Sequence, residues 1–175
     1  INRLRALKNL VNEYNEFANM FKKIIGTNMW GAQRLWVRRI IKGKSFAIVA
    51  PTGSGKTTFG MIASLYVVMK RKGRVLIVVP TSTLAYDVHR RLSDYSAKIG
   101  ANVRITMASS ILSKQELAEA MKAFEEGNFD ILIITNAFLP RHMDLLSKYR
   151  FSLIFVDDVD SVLKASSKNI DRLLL

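Results

Sequence analysis

Over the first 25 residues, Leu4, Leu7, Val11, Tyr14, Phe17, Phe21 and Ile24 recur at steps of three and four, with Asn, Glu, Lys and Arg between them. That spacing places the apolar side chains on one face of an amphipathic helix, with Gly26 as its C-cap. A second helix is predicted from Trp30 to Ile41, stopping at Lys42-Gly43-Lys44. The period then changes. Strand patterns at 45–50, 74–79, 102–107, 129–134 and 151–156 alternate with helical patterns near 57–71, 83–98, 113–126 and 141–149. Several strands are unbroken apolar runs, such as Val75-Leu76-Ile77-Val78-Val79, as a parallel sheet covered on both faces requires. The predicted fold is α/β: a doubly wound parallel sheet with helices on both faces, preceded by an N-terminal amphipathic helix. In such a sheet, phosphate chemistry belongs at the C-terminal ends of the strands. The sequence divides into an N-terminal helical segment, 1–27, and a nucleotide-binding lobe, 28–175. Asn169 to Leu175 reads as an apolar helix cut off abruptly, which suggests a piece of a larger protein.

Composition narrows this picture. A chain of 175 residues, 49% hydrophobic, is one domain with a real core. Its apolar runs fall far short of the roughly 20 residues that span a bilayer, so no membrane partner is expected. Asn2, Arg3, Arg5 and Lys8 interrupt any secretory leader, and there are no cysteines to form disulfides, nucleophiles or cysteine-based zinc sites. A cytoplasmic protein is the expectation. The formal net charge is +13, and residues 1–50 hold ten Lys/Arg against two acids. That balance suits a polyanionic partner, most simply nucleic acid, and also a solvated or membrane-facing basic surface.

The chemistry concentrates in Ala50-Pro51-Thr52-Gly53-Ser54-Gly55-Lys56-Thr57-Thr58. This run follows Phe46-Ala47-Ile48-Val49 and precedes a helical pattern, the strand–turn–helix context of a phosphate loop. Glycines let the backbone approach phosphates and turn its N–H groups inward, and the helix N-terminus adds partial positive charge. Lys56 is placed to reach the β- and γ-phosphates of ATP, and the Thr57 hydroxyl to hold Mg²⁺. Ala50 stands where the usual consensus has glycine, a form typical of superfamily 2 helicases.

About a hundred residues on, the apolar run Phe151–Val156 ends in Asp157-Asp158-Val159-Asp160. Asp157 is the candidate to orient Mg²⁺, and Asp158 to polarise the attacking water, one methylene shorter than the glutamate usual there. Acidic caps on a following helix would give the same pattern. Gln33, upstream of the loop, can pair with adenine N6 and N7, or be an ordinary surface glutamine. Of its tryptophan neighbours, Trp36 suits the core, while Trp30 suits either core or base stacking. Thr81 and Thr135, each at the end of a strand, are candidate DNA-backbone contacts. Helix capping accounts equally well for the short hydroxyl residues beside Thr81. His89 and His142 have no partner constellation.

Four stretches together resemble the reverse gyrase family. They are Trp30-Gly31-Ala32-Gln33-Arg34-Leu35-Trp36, the phosphate loop over Ser45–Gly60, the box Val156-Asp157-Asp158-Val159-Asp160, and Lys164-Ala165-Ser166 with Lys168-Asn169-Ile170-Asp171. The resemblance covers residues 28–175. It implies the first of two RecA-like lobes in a helicase-like module fused to a topoisomerase domain that positively supercoils DNA in hyperthermophiles. It implies ATP and Mg²⁺ as cofactors, DNA as partner, and a second lobe supplying arginines for hydrolysis. On that reading Lys56 and Asp158 are catalytic. Gln33, Ala50, Pro51, Thr52, Gly53, Ser54, Gly55, Lys56, Thr57 and Thr58 bind ATP, and Thr57 and Asp157 hold the metal. Two departures from the family are the lack of an N-terminal cysteine zinc finger and Ser54 in place of the usual Val. A generic superfamily 2 helicase or translocase lobe is the competing reading. A nucleotide-gated nucleic-acid-binding module without turnover of its own is another.

Overall fold

A computed structural model describes residues 2–158, with side chains from Leu4 onward. Asp160, the 164–171 stretch and the predicted helix Asn169–Leu175 lie outside the described residues. Two helices lead, α1 (Asn2–Ile25) and α2 (Gly31–Ile41), followed by α3 (Lys56–Arg71) and strand β1 (Arg74–Val79). Then come α4 (Ser82–Ile99), β2 (Ile105–Ala108), α5 (Lys114–Glu125) and β3 (Ile131–Thr135). A 3₁₀ turn at Leu139–Arg141, α6 (Met143–Leu146) and β4 (Phe151–Val156) complete the described chain.

The strands form one sheet in the order β2-β3-β1-β4, every pairing parallel. Because strand side chains alternate, β1 feeds two cores at once. Val75, Ile77 and Val79, with Ile131 and Ile133 of β3, face a core built with α1 to α4. Leu76 and Val78, with Leu132 and Ile134, face a second core holding Phe124 of α5, Leu139 and Leu146. This two-sided burial is why most strand positions are apolar, and it gives the doubly wound, RecA-like architecture that the sequence predicts.

Helix α1 enters the first core through Phe17, Phe21 and Ile24. The Phe17 ring meets Phe59 at 5.7 Å and Tyr66 at 5.2 Å, both on α3. Burial, reinforced by the Glu13 carboxylate 3.3 Å away, pushes the Tyr66 phenol well above the usual tyrosine range. The helix face read from the sequence is not uniformly buried: Leu4, Leu7 and Val11 are 75%, 59% and 55% exposed. The packed elements meet only the later turns of α1.

One predicted strand is absent. Residues 45–50 form no ladder with the sheet. They keep the alternation of an extended chain, with Phe46, Ile48 and Ala50 packed on the core and Val49 98% exposed. The physical reason is the lack of a partner: a strand is defined by its exchanged main-chain hydrogen bonds. β4 pairs with β1 along one edge. A groove of about 400 Å³, lined by Phe46, Phe59, Gly60 and Phe155 among others, lies between its other edge and the 43–46 segment. The remaining strands and helices lie within a few residues of their predicted bounds.

Candidate nucleotide site

The 50–58 loop leads into α3, and the Thr57–Asp157 contact holds the start of that helix at the C-terminal end of β4. Gly55 is the N-cap, with φ 81° and no side-chain hydrogen bond. The first N–H groups of a helix have no partner within it. They therefore form an anion-binding end carrying roughly +0.5 of partial charge. Lys56 Nζ donates to the Ala50 carbonyl at 2.7 Å and to the Pro51 carbonyl at 2.9 Å, so its ammonium is folded over the loop. Ser54 Oγ is buried without a hydrogen-bond partner among the described residues. A buried hydroxyl left unsatisfied is costly, and in this loop a phosphate oxygen would satisfy it. The loop chemistry thus fits a nucleotide.

The second element comes from across the sheet. Thr57 Oγ1 donates to Asp157 Oδ2 at 2.6 Å, joining residues 100 positions apart. The ladder carries Asp157 into place, its N–H donating to the Val78 carbonyl at 2.9 Å. A hydroxyl and a carboxylate at this spacing are hard oxygen donors, the type Mg²⁺ takes. Asp158, next along, is exposed with φ 55°. Aspartate tolerates this left-handed conformation better than most residues, and here it turns the chain sharply at the strand end.

Gln33 is drawn to the loop rather than left on the surface. It is 5% exposed, and its Oε1 accepts from the Trp30 N–H at 3.3 Å, leaving the Nε2 donors for another group. A Cβ built on Gly55 would come within 3.1 Å of Gln33 Nε2. Gly55→Ala is therefore expected to pay twice, in a left-handed backbone strained by about 1–2 kcal/mol and in crowding of Gln33. A rise of roughly tenfold in KM for ATP is the expected outcome in steady-state kinetics, together with a melting midpoint lowered by about a few degrees through the backbone strain. Trp36 is core, packed on Phe59 at 5.3 Å, while Trp30 is 47% exposed with its ring edge-to-face on Trp36 at 5.8 Å.

The strand-end threonines divide. Thr81 is exposed and caps α4, its hydroxyl accepting from Leu84 N–H at 3.2 Å, so a donor hydrogen remains. Thr135 is only 6% exposed, which removes its hydroxyl from the surface in this conformation. Ser82 and Ser110 meet at 2.9 Å and link the start of α4 to the loop after β2. One further group, Arg91, escapes the sequence, while Ser109 shares with Thr135 the sequence's double reading as a DNA contact or a cap. Arg91 of α4 donates to Thr58 Oγ1 at 2.7 Å. Ser109, at the end of β2, is 1% exposed, and its Oγ has no partner among the described residues. No local signal marks Arg91: it is one of several arginines on an amphipathic helix, 33 residues from its contact.

Comparison with known proteins agrees with this fold. The family model described as DEAD/DEAH box helicase matches residues 30–174. The reverse gyrase of Pyrobaculum aerophilum is 52% identical over 161 residues, covering 92% of this chain and 13% of that protein. Reverse gyrase 1 of Aeropyrum pernix is 46% identical, covering 98% of this chain and 12% of that protein. For the reverse gyrase of Pyrococcus horikoshii the identity is 46%, over 97% of this chain and 10% of that one. The chain thus spans about an eighth or less of the length of these curated relatives. Among solved structures, a hypothetical ATP-dependent RNA helicase from Sulfolobus tokodaii superimposes with a TM-score of 0.64 at 21% identity, over 89% of this chain and 45% of that one. The yeast DEAD-box splicing factor Prp28 gives 0.56 at 20% identity, over 81% and 36%. At such identities the likeness speaks for the fold alone, and the fold is that of helicase lobes. No described helix is long and apolar enough to cross a membrane.

Proposed function

Because the chain belongs to the DEAD/DEAH box helicase family, we propose that it is the ATP-binding lobe of a reverse gyrase, a longer polypeptide that couples ATP hydrolysis to positive supercoiling of DNA. The observation that carries the nucleotide part is the 2.6 Å bond between Thr57 and Asp157. It brings a phosphate loop and an acidic strand end into one site, where separately each has a bland explanation.

The roles follow from the chemistry of each group. The uncapped amides at the start of α3, the Ser54 hydroxyl and Lys56 hold the phosphates, Lys56 exchanging a carbonyl partner for a phosphate oxygen. Thr57 and Asp157 hold Mg²⁺, and Asp158 orients the attacking water. Gln33 Nε2 and the exposed face of Trp30 meet the adenine base. ATP supplies the phosphoanhydride whose cleavage drives the lobe movement. A second lobe of the same polypeptide supplies the arginines that stabilise the transition state, worth a factor of about 10³–10⁵ in turnover. This lobe alone therefore binds nucleotide and hydrolyses it poorly. Thr81 holds the DNA backbone through its free hydroxyl hydrogen, a contact that gives affinity without reading sequence.

The test is a supercoiling assay on the full-length protein. Relaxed plasmid, Mg²⁺ and ATP at high temperature should yield positively supercoiled topoisomers on a two-dimensional gel, and none without ATP. Unchanged plasmid accompanied by DNA- or RNA-stimulated ATPase would replace this reading with a generic translocase.

A further inference from the structure

Arg91 sits ten residues beyond the Thr81 cap of α4, and its guanidinium is held from several sides. Nη2 donates to Thr58 Oγ1 at 2.7 Å and to the Tyr95 hydroxyl at 3.0 Å, and Nη1 faces Asp87 Oδ2 at 3.5 Å. The Tyr95 ring lies beneath it, 5.7 Å from the guanidinium carbon. Asp87 is braced in turn by Arg90 at 3.0 Å. The Arg91 side chain is only 28% exposed, against 59% for Arg90. Asp87, Arg90 and Tyr95 belong to α4 itself, and they hold the guanidinium so that it meets the first turn of α3, where Thr58 follows Lys56 and Thr57.

A hydroxyl has one donor hydrogen and two acceptor positions. With Arg91 occupying one acceptor position, the Thr58 O–H is directed away from α4. The same bond fixes the turn in which the Thr57 hydroxyl meets Asp157. Beside the apolar packing of α4 on α3, Arg91 thus gives α4 a polar contact with the start of α3, while the N-terminus of α4 carries the exposed Thr81. A helix is stiff over this length, so a shift at its capped end is felt at Arg91.

We propose that Arg91 is a positioning residue that transmits DNA engagement at the start of α4 to the nucleotide loop through the Thr58 hydroxyl. The inference rests on the reading of this site as a DNA-stimulated ATPase. A planar guanidinium serves Thr58, Tyr95 and Asp87 together, whereas the point charge of lysine has no such fork. If Arg91 only pinned α4 to α3, its loss would reduce the amount of active protein. Turnover with and without DNA would then fall by the same factor, and KM for ATP would not move.

The experiment measures steady-state ATP turnover by the full-length protein, with and without DNA, for wild type, Arg91→Ala, Arg91→Lys, Thr58→Val and the Arg91→Ala/Thr58→Val double variant. A wild type whose turnover DNA does not stimulate overturns the functional reading itself. Given stimulation in the wild type, Arg91→Ala is expected to cut the DNA-stimulation ratio about tenfold, the scale of one lost hydrogen bond to a charged group. It should also raise KM for ATP several-fold, and Arg91→Lys should restore little of either. The double variant should be no worse than the more affected single one, because both remove the same bond. Thr58→Val, nearly the same shape, must lower the ratio even if Arg91→Ala fails to fold. A wild-type ratio and KM in Thr58→Val, or additive losses in the double variant, would overturn the inference.

Discussion

Replacing Lys56 with alanine is expected to abolish DNA-stimulated ATP turnover in the full-length protein, by a factor of at least about 10²–10³, the scale for one preorganised group on developing charge. The structure explains why the effect should be specific. Among the described residues the Lys56 ammonium donates to two loop carbonyls, those of Ala50 and Pro51, and Lys56 is not one of the buried core residues. Its ammonium is the positive side chain of the loop itself, beside the uncapped start of α3. The thermal midpoint of the variant should therefore stay close to that of the wild type while turnover vanishes and nucleotide binding weakens. Lys56→Arg should rescue poorly, since a planar guanidinium is larger and differently shaped than an ammonium. ATPase activity unchanged in Lys56→Ala would sink the site assignment.

Phe17→Ala should produce the largest loss of stability. The ring is 0% exposed and packs on both Phe59 and Tyr66. Truncating a buried phenylalanine costs about 3–5 kcal/mol. For a domain of this length that lowers the melting midpoint by on the order of 10 °C. Leu7→Ala is the matched control: the residue belongs to the same periodic face but is 59% exposed, so its loss should stay within about 0.5 kcal/mol. Denaturant unfolding of both variants checks the pair. Equal effects would mean that α1 is not docked as described.

The contrast between Phe17 and Leu7 shows where sequence reasoning stops. A period of 3.6 reports which residues share a helix face, and it reported α1 correctly. It carries no information on how far along the helix the neighbouring elements extend. The same limit applies to residues 45–50. Alternation of Phe46, Ile48 and Ala50 with exposed neighbours marks an extended chain, which the structure has. Strand pairing requires main-chain partners, and the groove beside β4 separates the segment from the nearest edge. Thr135 makes a related point: a hydroxyl at the end of a strand reads the same in the sequence whether the fold leaves it open or, as here, buries the residue to 6% exposure.

The sequence by itself determined the alternation of strands and helices, the two-faced burial of the sheet, and the residue types of the phosphate loop and the acidic strand end. It could do so because these are local properties: periodicity, glycine placement and charge are written in consecutive residues. Only the tertiary structure decided that Thr57 meets Asp157 across a hundred residues, that Gln33 is buried beside Gly55, and that Arg91 of a distant helix holds Thr58. Those contacts depend on strand order and on how helices seat against the sheet, which the packing of the whole chain fixes and no local pattern encodes.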